Sequence, residues 1–323
     1  MRYALVLLVL AGCSAAGPAS DRVRDATALL PGYAYPPGDT VRVATYNLEH
    51  FVDAFDSPYI GARRESQADV LEVDRRNRLA IQALRALDAD VIALQEIEGE
   101  GLARALVDSL APDLGYRFVA SADDADWYMN VVVLSRLPLG PLTTFADAAT
   151  PIPGFQDEGG RPEATDLANH RMLAVDVYAR PGYTFTLVAA HLKAGRSDRD
   201  EAWRTGQAGL LHAWLGQRFR DPEAANVLFA GDLNATPGTP SFAALLNTDR
   251  ARGPVRFLDP LAGTGAFSHP ADEPARRLDH VLVSDGAARE TVPGSAAVRV
   301  PIDDARRLSD HLPVVLEVVA RDR

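Results

Sequence analysis

The sequence contains a single cysteine, Cys13, and a single lysine, Lys193, among its 323 residues. A lone cysteine excludes an internal disulfide, so a folded domain must be held together by its apolar core. The apolar run Ala4–Leu10 is too short to cross a bilayer. Basic residues are also scarce: 33 Lys and Arg stand against 44 Asp and Glu, which gives a net charge of −11. Such an acidic chain does not attract polyanions through its overall field, which counts against a tight, sequence-reading DNA-binding protein.

Residues 1–12 have the features of an export signal, because one positive charge at Arg2 precedes the apolar run. The letters LAGC at residues 10–13 resemble a bacterial lipobox, in which Cys13 becomes the lipidated mature N-terminus. An ordinary signal peptide with an incidental cysteine is the alternative. The residue after the cysteine is Ser14 and not an aspartate, which resembles the pattern that sorts lipoproteins to the outer membrane. We therefore expect an exported lipoprotein anchored in a membrane by its lipid, in the outer membrane or periplasm of a two-membrane cell and otherwise at the cell surface.

Residues 13–40 are rich in Ala, Pro, Gly and Asp and lack a sustained periodicity, which predicts a flexible tether. Residues 41–323 hold enough apolar residues for one large domain. They contain no second linker and no short-period repeat. We expect this domain to be monomeric.

Apolar periodicity in residues 41–323 predicts strands that alternate with helices. The predicted helices are Asp74–Leu87, with Asp74 as its N-cap, Gly101–Leu110, Asp198–Phe219 and Pro240–Leu246. The predicted strands are Val41–Tyr46, Val91–Leu94, Tyr116–Ala120, Asn130–Ser135, Met172–Tyr178, Phe185–Ala190, Val227–Ala230, Asp279–Val283 and Leu312–Val319. Thr150–Asn169 and Asn247–Ala275 are predicted as long loops. Consecutive strands in the middle of the chain argue against a purely parallel sheet and favour two mixed sheets packed face to face, with helices outside.

Six short polar motifs adjoin these apolar runs. In chain order they are Asn47–Glu49, Gln95-Glu96, His191, Asp232–Asn234, Asp279-His280 and Asp310-His311. A buried strand that ends in a carboxylate, an amide or an imidazole is a common way to build a catalytic floor in an α/β protein. Mg²⁺ is a hard cation that binds few protein oxygens and keeps its waters. Together the motifs predict metal-assisted attack on a phosphate.

Spacing and residue type support this interpretation at three positions. Asp232 and Asn234 lie two residues apart, which puts both side chains on one face of an extended chain, although an ordinary turn is the alternative. An imidazole has an unperturbed pKa near neutral pH, which suits His311 to act as an acid or base. Every basic residue other than Lys193 is an arginine. A compact ammonium suits a phosphate in a tight site, whereas chance survival of one lysine is the alternative.

The segments TYNLE, LQEIE, HLKAG, GDLNATP, RLDHVLVS and SDHLPV, in this order, resemble the endonuclease/exonuclease/phosphatase superfamily, also called DNase I-like. The resemblance covers residues 41–319. It implies an α/β fold that is a four-layered α/β/β/α sandwich with two mixed sheets. It also implies phosphoester hydrolysis that depends on Mg²⁺ or Mn²⁺, with Ca²⁺ as a further option.

The same resemblance implies roles for individual residues. Groups of the metal shell are Asn47, Glu49, Glu96 and Asp310. Catalytic groups are His191, Asp232, Asn234, Asp279 and His311. In this scheme Asp279 orients His311. For the partner of His191 the sequence departs from the DNase I pattern, where a Glu orients the ring, and Asn130 or Asp126 is the candidate here. Independently of the scheme, candidate contacts to the substrate phosphate are Asn130, Arg136, Arg171 and Lys193. A solvated loop acid is the alternative for Glu49, and His280 is expected to pack in the core.

The motifs leave the substrate open. Arg276–Asp279 lacks the Trp-Cys-Asp-Arg signature of the inositol-phosphatase branch, and Glu49–Phe51 lacks the Asp-Gly-Leu continuation of the AP-endonuclease branch. We therefore expect an exported nuclease or phosphodiesterase whose substrate is a nucleic acid or a small phosphoester. A sphingomyelinase-like lipid phosphodiesterase is the first alternative, with Trp127-Tyr128 as its membrane contact. A non-catalytic binding module on the same fold is the second alternative.

Overall fold

The computed structural model describes residues 33–53, 70–122 and 129–322. Its strands are β1 (Thr40–Phe51), β2 (Val91–Ile97), β3 (Phe118–Ser121), β4 (Asn130–Ser135), β5 (Leu139–Thr144), β6 (Thr150–Gln156), β7 (Pro162–Thr165), β8 (Met172–Arg180), β9 (Tyr183–His191), β10 (Val227–Asp232), β11 (Phe257–Leu258), β12 (Asp279–Ser284), β13 (Ala297–Val298) and β14 (Val314–Val319). Its α-helices are α1 (Val70–Leu87), α2 (Glu100–Arg104), α3 (Asp198–Arg218), α4 (Pro240–Leu246) and α5 (Asp285–Glu290). None of the helices in these ranges is long and apolar enough to cross a membrane.

Two six-stranded mixed sheets form the centre of the domain. The first sheet has the order β13-β14-β1-β2-β4-β3, and the second has the order β11-β12-β10-β9-β8-β5. Their facing sides share one apolar cluster that includes Val43 and Val91 from the first sheet and Leu187 and Leu228 from the second. The predicted arrangement of two mixed sheets packed face to face is therefore confirmed.

Helices cover the outer side of each sheet. Leu84 of α1 packs with Ile92 on the outside of the first sheet. Leu211 of α3 packs with Phe229 on the outside of the second sheet. Alternate residues of each central strand thus face a helix layer or the opposite sheet, which is the expected consequence of the two-residue repeat of a strand. In this four-layered arrangement the helices cover the faces of the sheets, so the edges at which the strands end lie at the surface of the domain.

Several predicted boundaries were wrong. Helix α1 begins at Val70, so Asp74 lies inside it and pairs with Arg78 instead of capping the N-terminus. The predicted helix Gly101–Leu110 is a short α-helix followed by a π-helix from Ala105 to Leu110. The predicted loop Thr150–Asn169 contains the hairpin β6–β7, and the predicted loop Asn247–Ala275 contains β11.

The end of the predicted tether packs on the domain. The hydroxyl of Tyr33 donates a hydrogen bond of 2.8 Å to the carbonyl oxygen of Arg136, and Tyr35 packs against the cluster between the sheets. The predicted export signal, Cys13, the rest of the tether, Asp126 and Trp127-Tyr128 lie outside the described residues.

Candidate active site

Strand direction explains why most of the polar motifs meet at one edge of the two sheets. β1 runs parallel to β2, and β9 runs parallel to β10, so the last residues of each pair lie at the same edge. β4, β12 and β14 run antiparallel to their neighbours, so their first residues lie at that edge. The side chains brought together there are Asn47, Glu96, His191, Asp232, Asp279 and His311.

The ends of β1 and β2 bend sharply at this edge. Glu49, His50 and Glu96 have φ angles of 47°, 52° and 55°, a left-handed conformation that side chains disfavour. Arg76 of α1 holds the bend, because its half-buried guanidinium donates hydrogen bonds of 2.6 to 2.8 Å to the carbonyl oxygens of residues 48, 49 and 50. The amide of His50 then donates to Glu96 Oε2 at 3.1 Å. The bend thus directs the Glu96 carboxylate into the cluster.

Asn47 joins two carboxylates from opposite sheets. Its Nδ2 lies 3.1 Å from Glu96 Oε1 and 3.0 Å from Asp232 Oδ2. Its Oδ1 accepts a 2.9 Å hydrogen bond from the amide of Glu49, and because that amide can only donate, Nδ2 must face the carboxylates. Asn47 therefore offers N–H groups to the cluster, which suits a residue that holds the metal-binding carboxylates or a phosphate oxygen.

The end of β10 places Asp232 and Asn234 side by side. The amide of Asn234 donates to Asp232 Oδ1 at 2.9 Å, and its Nδ2 donates to the carbonyl oxygen of Leu192 at 3.1 Å. Gly231 allows β10 to approach β9 here, because a Cβ at this position would lie 1.8 Å from the Ala190 carbonyl oxygen. Asp232 is thereby fixed beside His191.

Asp279 and His311 form a buried pair, as predicted. His311 Nδ1 lies 2.7 Å from Asp279 Oδ2, and its Nε2 lies 3.8 Å from Asp232 Oδ2. Burial acts to lower the pKa of His311, but the carboxylates of Asp279 and Asp232 outweigh it and raise that pKa to about 10. His311 is thus a cationic hydrogen-bond donor near neutral pH, with Nε2 directed towards Asp232.

His191 faces the carboxylates from the end of β9. Its Nε2 lies 3.8 Å from Glu96 Oε1 and 3.7 Å from Asp232 Oδ2. Burial, followed by the positive charge of Arg171, lowers the pKa of His191 well below its usual range, so the ring is neutral. The prediction that Asn130 orients this ring was wrong: Asn130 Nδ2 donates to the Glu98 carbonyl oxygen at 2.8 Å, and His191 Nδ1 has no hydrogen-bond partner among the described residues.

The cluster has the chemistry of a divalent metal site. Glu96, His191 and Asp232 each offer one ligand atom, and these atoms lie within 4.8 Å of one another. Burial is the main reason why the pKa of Asp232 is raised, and the negative charges of Asp279 and Glu96 raise it further. A bound cation would offset this crowding of negative charge. The Glu96 and Asp232 carboxylates supply the oxygen ligands that Mg²⁺ and Mn²⁺ prefer, so these two residues fit the predicted cofactor.

Two other acids of the predicted metal shell have protein partners. Glu49 Oε2 forms an ion pair of 2.6 Å with Arg306, so its side chain is directed away from Glu96. Asp310 Oδ2 lies 3.2 Å from His269 Nε2, and its Oδ1 lies 3.8 Å from His311 Nε2. Asp310 therefore borders the cluster, whereas Glu49, near the end of β1, pairs with Arg306.

Two of the predicted phosphate contacts lie elsewhere. Arg136 follows β4, which runs antiparallel to β2, so it lies at the opposite edge of the sheet and pairs with Asp88 at 2.7 Å. The ammonium of Lys193 lies 2.9 Å from Asp200 Oδ1 and 5.5 Å from the centre of the Trp203 ring. Arg171, in contrast, directly precedes β8 and is close enough to lower the pKa of His191. Arg171 remains the better phosphate candidate.

Sequence reasoning missed the side chains that position the cluster. Ser268 donates to Asp279 Oδ2 at 2.7 Å, and Ser309 donates to the Asn47 carbonyl oxygen at 2.6 Å while accepting from the His311 amide at 2.9 Å. Arg76 holds the end of β1. Two of these residues had visible signals, since Ser309 belongs to the SDH motif and Arg76 begins a predicted helix. Ser268 lies in a predicted loop, and no feature of the sequence pointed to it.

Known proteins share this fold. The structure of D. rerio TDP2 complexed with single strand DNA product matches with a TM-score of 0.56 and 19% identity, over 87% of this chain and 99% of that one. An AP endonuclease from Archaeoglobus fulgidus matches with a TM-score of 0.57 and 13% identity, over 85% of this chain and 98% of that one. Sphingomyelinase C from Streptomyces griseocarneus matches with a TM-score of 0.53 and 20% identity, over 86% of this chain and 99% of that one.

A search among curated proteins found no match. The sequence model of the Endonuclease/Exonuclease/phosphatase family, however, matches residues 44–311. This range begins in β1 and ends at His311, so it includes every residue of the cluster. The chain therefore belongs to the Endonuclease/Exonuclease/phosphatase family.

Proposed function

We propose that this protein hydrolyses phosphodiesters with the help of a divalent metal ion. The observation that carries the proposal is the position of the Asp279–His311 pair: His311 Nε2 lies 3.8 Å from Asp232, which also borders Glu96 and His191. An acid–base pair next to clustered carboxylates has the components of phosphoester hydrolysis. A binding module has no use for so many buried charged groups.

The metal proposed is Mg²⁺ or Mn²⁺, held chiefly by Glu96, with Asp232 and Asp310 within reach of the same cluster. When bound, this ion would polarise the phosphoryl oxygen and neutralise its charge. Asn47 keeps Glu96 and Asp232 at hydrogen-bond distance from one amide nitrogen. These two carboxylates are thus held together by protein contacts alone.

The surrounding side chains supply the acid–base and positioning roles. Asp232 accepts a hydrogen bond from a water in line with the phosphorus, and Asn234 faces the phosphate. His311, held by Asp279, exchanges a proton with the attacking or leaving oxygen. His191 is neutral, so it hydrogen-bonds to the phosphate without adding charge. Arg171 stabilises negative charge as it develops on the phosphate.

An activity panel tests the function. Wild-type protein with Mg²⁺ or Mn²⁺ is assayed against plasmid DNA, RNA, bis-p-nitrophenyl phosphate and sphingomyelin, and again in EDTA. We expect hydrolysis of the nucleic acid or the small diester, whereas preferential hydrolysis of sphingomyelin would favour the lipid phosphodiesterase. Full activity in EDTA on every substrate would refute the metal mechanism.

Glu96→Gln tests the metal site directly, because the change removes only the charge. We expect loss of most activity and weaker Mg²⁺ binding by calorimetry, with little change in the melting temperature measured without metal. Glu158→Gln is the matched control, since Glu158 is exposed on the β6–β7 hairpin. Equal Mg²⁺ affinity in both variants would exclude Glu96 as the main ligand.

We further propose that the protein is exported and anchored through a lipid on Cys13. The support is the lipobox-like LAGC sequence after an apolar run. Cys13→Ser should abolish acyl labelling and release the protein from the membrane fraction. If the variant stays in the membrane with unchanged mass, the lipoprotein proposal is wrong.

A further inference from the structure

A cavity of about 690 Å³ lies at the edge of the second sheet, beside the cluster just described. It is lined by the end of β11, by helix α4 and by the loops that precede β12 and follow β10. Three phenylalanines, Phe242, Phe257 and Phe267, line it together with small residues such as Ala262 and Ala266. Its volume falls within the range of small-molecule sites.

The loop that forms the outer wall of the cavity is fixed by a buried ion pair. Arg277 is 4% exposed, pairs with Asp259 and donates a 2.9 Å hydrogen bond to the carbonyl oxygen of Leu261. The amide of Leu261 in turn donates to Asp259 Oδ1 at 3.0 Å. The cavity is therefore formed before any ligand enters. Its outer wall leaves the Phe267 side chain 45% exposed, although a large apolar ring is usually buried.

Side-chain contacts connect the cavity to the reacting groups. Arg276 lines the cavity, and its guanidinium lies 3.0 Å from His269 Nδ1. The ring of His269 lies 4.7 Å from the ring of His311, centre to centre. Phe267 directly precedes Ser268, which hydrogen-bonds Asp279. Two successive side-chain contacts, from His311 to His269 and from His269 to Arg276, therefore lead from the reacting groups to the cavity wall.

The charged groups of the wall leave no cationic partner for a second anionic group. Three charged residues line the cavity. Arg277 and Asp259 neutralise each other, and Arg276 lies at the end nearest His311, where a phosphate oxygen would be. The rest of the cavity offers rings and small apolar surfaces, which favour an uncharged planar group.

We propose that this cavity binds an uncharged aromatic ring covalently attached to the substrate phosphate, either as an aryl ester or as the base of a nucleotide. This assignment rests on the proposed phosphodiester hydrolysis and specifies the substrate of that same site. The phosphate lies at His311, and the ring packs against Phe267 and Phe242. The cavity thereby selects among phosphoesters by their organic group.

Stable phosphonates test the assignment without turnover. Inhibition constants are measured against bis-p-nitrophenyl phosphate hydrolysis with Mg²⁺ for methylphosphonate, butylphosphonate and phenylphosphonate, and for thymidine 5′-monophosphate. We expect phenylphosphonate to bind at least about 10-fold more tightly than methylphosphonate, because burial of the ring removes apolar surface from water. Comparison of thymidine 5′-monophosphate with phenylphosphonate separates the two sources of the ring. If the nucleotide shows the larger gain in affinity over methylphosphonate, the ring is a nucleotide base; if phenylphosphonate does, the ring is that of an aryl ester.

Two variants locate the effect in the cavity. Ala262→Trp should fill it and remove the preference for the ring, while the constant for methylphosphonate stays unchanged. Phe267→Ala should weaken the preference several-fold by removing one wall. Ala251→Trp is the matched control, because Ala251 is exposed on a turn of the same segment but does not line the cavity.

The outcomes separate this assignment from the proposed function. Hydrolysis without any preference for a ring, or a preference that survives Ala262→Trp, overturns the assignment alone. An equal gain from butylphosphonate overturns its aromatic character. If no ester is hydrolysed and methylphosphonate does not bind, the proposed function fails and the assignment fails with it.

Discussion

At the scale of single residues, the hydroxyl group of Ser268 sets the orientation of the Asp279 carboxylate. Ser268 Oγ donates to Asp279 and accepts from the backbone amides of Leu278 and Asp279 at 3.1 and 3.2 Å. The amides that converge on this oxygen direct its only proton to the carboxylate. The Asp279 carboxylate is then oriented towards His311 Nδ1. The position of the histidine thus depends on uncharged residues as well as on its partner acid.

A graded series of substitutions should follow this chain of contacts. His311→Ala should lower kcat by about 10²- to 10⁴-fold, the usual effect of losing a positioned acid–base group. Asp279→Asn should lower it less, because the imidazole remains, and Ser268→Ala least, because the carboxylate remains. KM should change little in all three variants. Steady-state kinetics on one diester substrate measures the series.

Ser295→Ala is the control for that series, because the Ser295 hydroxyl, like that of Ser268, accepts a hydrogen bond from a backbone amide. The partners of Ser295 are Val292 and Glu317, which lie outside the cluster. An unchanged kcat in Asp279→Asn would contradict the series. So would a loss in Ser268→Ala as large as in His311→Ala.

The lone lysine has a structural role that its rarity did not reveal. The Lys193 ammonium contacts Asp200 and the Ala194 carbonyl oxygen and lies over the Trp203 ring. A compact group with rotatable donors suits these three directions better than a planar guanidinium does. The Lys193 ammonium is therefore held by several contacts, and its ionic partner is a carboxylate of α3 where a phosphate was expected.

Residue-level prediction succeeded where a motif adjoins a central strand. Glu96, Asp232 and His311 lie together because the strands that carry them end or begin at one edge. Arg136 was expected beside the phosphate but lies at the opposite edge of the sheet, because the direction of a strand is not visible in the local sequence. Ser268 is linked to Asp279 across a loop of irregular structure, and no periodicity predicts such a hydrogen bond.

At the level of elements, α3 depends on an N-terminal capping box. Ser197 accepts from the Asp200 amide, and Asp200 Oδ2 accepts from the Ser197 amide. Partial burial acts to raise the pKa of Asp200, but hydrogen bonds from Lys193 and Ser197 outweigh it and lower that pKa to about 2. The ionised carboxylate therefore stabilises the start of the helix that covers the second sheet.

Asp200→Ala should lower the melting temperature by roughly 2–4 °C near neutral pH, the shift expected for about 1 kcal/mol of capping. Because the folded pKa lies below the ordinary value of 3.8, this stabilisation is complete above about pH 4 and is lost as pH falls towards 2. Thermal unfolding followed by circular dichroism at pH 7 and pH 3 measures the difference.

Asp198→Ala is the matched control, since Asp198 has the same charge in the same turn but is exposed and lies outside the box. Equal shifts in the two variants would show that charge near the helix terminus matters and that the box does not. A difference that grows as the pH falls would contradict the direction of the pKa shift.

Elements were predictable when they were long and periodic. The predicted helix Pro240–Leu246 and strand Asn130–Ser135 have the same bounds in the structure. β11 and β13 contain two residues each, too few for any repeat to appear. The β6–β7 hairpin was missed because Pro and Gly interrupt its strands, and its pairing shifts register between Pro151 and Gln156.

At the scale of the whole molecule, the four layers follow from alternation within the strands. Each central strand buries both faces, so its apolar residues face either a helix or the other sheet. Consecutive strands in the middle of the chain were therefore a reliable sign of two mixed sheets. Which strands are neighbours was not predictable, since β1 lies between β14 from the far end of the chain and β2.

The overall charge leads to a prediction about salt. With a net charge of −11, the long-range field repels a polyanion, whereas proteins that bind DNA through many cationic contacts lose affinity as salt rises. Raising the salt from about 20 to about 200 mM at constant Mg²⁺ screens this repulsion, so kcat/KM on single-stranded DNA should stay constant or rise. Bis-p-nitrophenyl phosphate is the control, because it carries one negative charge and hardly senses the long-range field. A fall of 10-fold or more with DNA, but not with the small diester, would show that a local cationic surface binds the nucleic acid despite the acidic whole.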